Sequence, residues 1–159
     1  MMRRSFFLLS IITLLISLPV LATEKNYVYR ETTGKTSIEN KWTIKPAPAG
    51  YTVEAENDNE YQYILCRQDH STLRWELRNR GAGTDLVGER EGNLLTVKGR
   101  FKGKEFAKEF KIDSLPWYQS LEVALADFVR SEAEKTEFWI VEPFNIKCYK
   151  MVATKQKTE

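Results

Sequence analysis

The chain has 159 residues, of which 42% are apolar, 12% aromatic and 29% charged, a balance that suits one ordinary domain and excludes a disordered tail or a multidomain enzyme. Its 24 basic and 22 acidic residues are interspersed along the sequence. Nucleic acid, which requires a one-sided basic stripe, is therefore not an expected partner.

Residues 1–22 read as a secretory signal. Arg3 and Arg4 give a positive start, Phe6 to Leu18 form an apolar run broken only by Ser and Thr, and Val20-Leu21-Ala22 supplies small residues for a cleavage site. The run is shorter than the ~20 apolar residues of a membrane-spanning helix, and no Cys follows Ala22 to carry a lipid. Cleavage removes two basic residues and no acid, so the formal net charge falls from +2 to 0. A mature chain beginning near Thr23 is expected in the periplasm or outside the cell, with no stable membrane anchor.

From Tyr27 to Ile112 apolar residues recur at every second position, the period of half-buried strands. In Tyr51–Glu56 and in Leu73–Arg78 the odd positions are apolar and the even ones polar or charged. Phe106, Phe110 and Ile112 share a face that Lys108 interrupts, which suits an edge position. Turn-forming clusters separate the blocks: residues 46–50, Asn57-Asp58-Asn59, residues 80–83, Glu91-Gly92-Asn93 and Lys102-Gly103-Lys104. Short links make consecutive strands antiparallel neighbours. About eight such strands in one meander favour strong curvature or partial closure.

The period then changes to that of a helix. Trp117, Leu121, Leu125, Phe128 and Val129 form an amphipathic stripe, with Asp113 or Ser114 as cap and Pro116 in the first turn. Phe138-Trp139-Ile140-Val141 follows as a strand covered on both sides, then a turn at 143–145 and a last strand through Ile146, Cys148 and Val152. The expected architecture is mainly β: a strongly curved antiparallel meander, a half-open barrel of about ten strands, with one amphipathic helix packed on it. It spans a single domain over residues 23–154, followed by a polar, frayed tail at 155–159.

Cys66 and Cys148 are two cysteines in a chain sent to an oxidising compartment. They can form one disulfide, or stay as buried thiols that act as small hydrophobes, and the sequence leaves both open.

Residues that carry chemistry are few. The single histidine, His70, lies in a polar turn, Gln68-Asp69-His70-Ser71. Adjacency of Asp, His and Ser in sequence does not make a triad, whose members come from separate segments, so His70 reads as solvated. One His and two distant Cys do not make a zinc site. Glu54, Glu56, Glu76, Glu105 and Glu109 alternate with apolar residues and face water, where nothing tunes their acidity. Asp113 and Glu137 flank the helix as a further carboxylate pair, read as a cap and an edge charge. No glycine-rich loop opens a helix to hold a phosphate. Neither a metal nor a cofactor is expected, and no catalytic residue is assigned.

Aromatic side chains on the inner faces are the remaining signal. Trp42, Tyr63, Trp75, Trp117, Leu121, Leu125, Phe128 and Phe138 are the candidate ligand-binding residues, on the argument that one helix cannot cover a curved sheet this long. The same aromatics also suit a filled core.

The runs Thr84–Asn93, Lys98–Lys104, Ile112–Gln119 and Glu137–Ile140 resemble a group of bacterial exported proteins of unknown function with an incomplete β-barrel. That architecture is similar to the periplasmic carriers that move lipoproteins to the outer membrane. The resemblance implies the fold and carries over no catalytic residue. Two functions follow as expectations. The first is a non-enzymatic carrier of an apolar ligand such as a lipid or acyl chain, and the second is an interaction or inhibitor domain of the cell envelope with a filled core and an envelope protein as partner.

Overall fold

The computed structural model describes residues 23–33 and 36–156; residues 1–22, predicted to be a signal, lie outside them. The alternating blocks form eight strands: β1 (Lys25–Thr33), β2 (Thr36–Ala47), β3 (Gly50–Glu56), β4 (Glu60–Arg67), β5 (Thr72–Asn79), β6 (Thr84–Glu91), β7 (Leu94–Phe101) and β8 (Lys104–Lys111). Each pairs antiparallel with its sequence neighbour, and β1 and β8 are not paired with each other. The sheet is therefore an open meander with two edges. The Asn57 turn shows how the links form: its Oδ1 accepts from the backbone N–H groups of Asn59 and Glu60, both at 2.9 Å.

Register places side chains on faces. Ile44, Val53, Ile64, Trp75, Gly88, Val97 and Lys108 are successive cross-strand neighbours, and such neighbours share one face. Val53, Ile64, Trp75 and Val97 in this row are buried, and Leu77 and Leu86 in the adjacent row join them in the core. The face is interrupted at Lys108, as the sequence predicts for an edge, since β8 is the last strand of the sheet. Lys108 Nζ lies 5.0 Å from the Phe110 ring centroid and 3.5 Å from the Ile146 carbonyl oxygen, so its charge is placed without crossing the core.

The helix is shorter than predicted. It runs over Leu121–Arg130 as α1, with Ser120 at its N-cap position. Trp117 and Pro116 lie outside it because strand partners claim their backbone groups. The Trp117 carbonyl accepts from Thr72 N–H at 2.7 Å, the Pro116 carbonyl accepts from Trp139 N–H at 2.8 Å, and Tyr118 N–H donates to the Trp139 carbonyl at 2.8 Å. A peptide already paired in a ladder has nothing left for a helical turn.

The last two strands, β9 (Lys135–Glu142) and β10 (Lys147–Thr154), form a separate hairpin rather than extending the meander. Val141 and Ile146 sink into the same core as Trp75. Segment 112–120 thus runs between the main sheet and the hairpin and joins them. Asp113 is a fastener of this junction and not a helix cap: its carboxylate accepts from Trp139 Nε1 at 2.8 Å, Leu115 N at 3.0 Å and Lys150 Nζ at 3.2 Å. Those donors hold its pKa below the ordinary carboxylate range, so it stays charged. The tail is tied at its first residue, where Lys155 N–H donates to the Glu134 carbonyl at 2.9 Å.

Candidate binding groove

The inner face is divided into a sealed half and an open half. Over β4–β7 it is filled. Trp75 and Trp117 are both 0% exposed, and Phe138 is buried apart from their cluster, with its ring centroid 5.3 Å from that of Tyr118. Gly88 makes this possible: a Cβ there would lie 3.1 Å from Trp75 Cε3 and 3.3 Å from Trp117 Cη2. Both indole N–H groups are satisfied, Trp75 by Gln62 Oε1 at 3.2 Å and Trp117 by Gln119 Oε1 at 3.0 Å. The predicted ligand residues Trp75, Trp117 and Phe138 are therefore buried. The cause is a cover made by distant segments: segment 112–120 and the hairpin fill the space that the helix alone could not.

Over β1, β2 and the start of β3 the inner face stays open beneath α1. A groove of about 510 Å³ is lined by Tyr27, Tyr29, Trp42 and Ile44 on the strands and by Glu122, Val123, Ala126 and Asp127 on the helix. Trp42 is the one predicted ligand residue in this lining. Tyr63 lies on the opposite face, between Glu54 and Glu76 in the register. Leu121 and Leu125 sit with Val129 along a hollow lined only by helix residues, which is the outer surface of α1. Phe128 lies under Lys155, whose Nζ is 5.2 Å from its ring centroid. The helix is rotated from the predicted stripe so that Val123 packs against the core and Ala124 is buried. A small residue at the contact lets the helix backbone approach the sheet closely.

One polar chain closes the end of the groove. Tyr51 Oη lies 2.7 Å from His70 Nδ1, and His70 Nε2 lies 2.6 Å from Asp127 Oδ2. A carboxylate only accepts, so Nε2–H donates to Asp127; in the neutral ring Nδ1 then accepts from the Tyr51 hydroxyl. Hydrogen bonding from His70 draws the Asp127 carboxyl below its ordinary range, and burial together with the neighbouring Cys66 thiol pushes the Tyr51 phenol well above its own. His70 is thus a strut and not a solvated turn residue. It holds α1 over the sheet from a left-handed backbone, φ 66°. Its partners are 19 residues before it and 57 after it, and no local pattern connects them.

Asp113 and Glu137 come together only through Lys150, at 3.2 and 3.4 Å. Their pKa values are both lowered, Asp113 first by the Trp139 indole N–H and Glu137 first by Lys135, which is the reverse of what a proton-donating carboxyl needs. Among the described residues no group of three or more His, Cys, Asp and Glu side chains could hold a metal ion, and no helix is long and apolar enough to cross a membrane.

Cys66 is buried and Cys148 half-buried, and both are free thiols. Burial pushes each thiol up to about 11, which keeps it protonated and unreactive at neutral pH. Titration of the unreduced protein is expected to find both thiols slow to react when folded and two reactive thiols per chain after unfolding; fewer than two would establish a bridge.

No family model, no curated protein and no solved structure matches this chain.

Proposed function

We propose that the protein is an exported, non-enzymatic binding protein that holds an amphipathic ligand, an acyl chain with a polar head, in the groove between β1–β3 and α1. The observation that carries this reading is the half-open inner face. Its volume of about 510 Å³ lies within the ~300–1,000 Å³ of small-ligand sites. Aromatic side chains that a filled core would bury stay accessible there, with Tyr29 54% exposed. An acyl chain would lie along Tyr27, Tyr29, Trp42 and Ile44, and its head group would reach the polar end at Tyr51, His70 and Arg130. The resemblance to exported incomplete-barrel proteins supports the same reading.

A fluorescent fatty-acid probe is expected to bind saturably. Trp42→Ala should weaken it about tenfold, the equivalent of ~1.4 kcal/mol and within what one aromatic contact contributes. Leu125→Ala, on the outer helix surface, should leave affinity unchanged. Absence of saturable binding would sink the proposal and favour the second reading, an envelope interaction or inhibitor domain. The filled half around Trp75 and Trp117 is the observation in favour of that alternative.

A further inference from the structure

The two edges of the main sheet are guarded differently. β8 carries Lys104, Glu105, Lys108, Glu109 and Lys111, a density of charge that opposes pairing with another strand. β1 has no charge between Asn26 and Tyr29, and Tyr27, Val28 and Tyr29 are 41%, 63% and 54% exposed. Among the described residues β1 pairs on one side only, and a long edge strand with exposed apolar side chains is a template for another strand.

The sequence of β1 also specifies which strand. Its residues Lys25-Asn26-Tyr27-Val28-Tyr29-Arg30-Glu31 are self-complementary when the strand is turned about Val28. In that antiparallel register Lys25 stands opposite Glu31 of the second copy, Asn26 opposite Arg30, Tyr27 opposite Tyr29, and Val28 opposite itself. Opposite charges and aromatic pairs directly across a ladder are stabilising, and like charges there are destabilising. No position in this register sets like charges against each other. We propose that β1 is a dimerisation edge, joining two copies through a twofold axis at Val28 into one continuous antiparallel sheet. The axis makes the contact isologous, so it closes at two copies and does not propagate. It also brings Tyr27 and Tyr29, which line the groove, beside the same wall of the second copy, so the two grooves meet across the axis. A contact built from one strand edge is small, which makes the dimer reversible on dilution.

Sedimentation of the purified protein from the low to the high micromolar range tests this. The expected result is a monomer of 18.5 kDa or its processed form at low concentration and a species of twice that mass at high concentration. Val28→Lys, which sets like charges opposite each other on the axis, should abolish the larger species while the circular dichroism spectrum is unchanged. Val28→Cys should form an intermolecular disulfide on mild oxidation. Residues directly opposite across an antiparallel ladder have Cα atoms ~4.5–5.5 Å apart, inside the range a disulfide spans. Tyr29→Cys, offset from the axis, should cross-link at least tenfold more slowly. A monomer at all concentrations would overturn the proposal. So would a dimer that survives Val28→Lys, or equal cross-linking at positions 28 and 29.

Discussion

Replacing Trp117 with alanine is expected to lower the unfolding free energy by about 3–5 kcal/mol, the range of a fully buried tryptophan. The indole is fully buried and packs on the bare backbone of Gly88, opposite the equally buried Trp75. Its N–H donates to Gln119, whose amide also donates to the Val141 carbonyl at 2.9 Å and accepts from Val141 N–H at 3.2 Å. Truncation therefore leaves a cavity and loosens the clamp that fixes the hairpin to the main sheet. Against a total stability of ~5–15 kcal/mol, a loss of that size brings the chain close to unfolding. Urea titration followed by far-ultraviolet circular dichroism measures it without relying on tryptophan emission. Gly88→Ala should cost less, about 1–3 kcal/mol, since one methyl group can be absorbed by small shifts of both rings. A loss below ~1 kcal/mol for Trp117→Ala would mean that the hairpin is held by something other than this contact.

Gly99→Ala is expected to destabilise by roughly 3 kcal/mol or more, although it adds only one methyl group to an exchange usually worth less than 1 kcal/mol. Gly99 has φ +135°, and a Cβ there would lie 2.2 Å from the Asp85 carbonyl oxygen on the neighbouring strand. That atom belongs to the backbone of β6, so relief of the clash requires the β6–β7 ladder to move. Gly92→Ala is the matched control: it also has positive φ, at +57°, but no atom lies within 4 Å of its added Cβ. It should cost only the ~1–2 kcal/mol of the left-handed conformation. Equal midpoints for the two variants in the same urea titration would show that the clash is relieved at no cost.

The amino-acid sequence by itself determined the class of fold and most of its elements. Alternation in Tyr51–Glu56 and Leu73–Arg78, with turn residues between the blocks, was sufficient for an eight-strand antiparallel meander because a period of two residues fixes which side chains share a face. The aromatic inner face, the Lys108 edge position and a single helix followed from the same kind of local information. Tertiary structure alone decided how that face is covered. Trp117 satisfies a helical pattern, yet its peptide is claimed by Thr72 and its neighbours' peptides by Trp139, and these pairings at long sequence separation override local propensity. The same event draws the hairpin over β4–β7, so Trp75 and Trp117 become core, Phe138 is buried, and Trp42 alone of the predicted ligand residues is left to line a groove. The Tyr51–His70–Asp127 strut was illegible for the same physical reason: hydrogen bonds between distant segments leave no period in the chain.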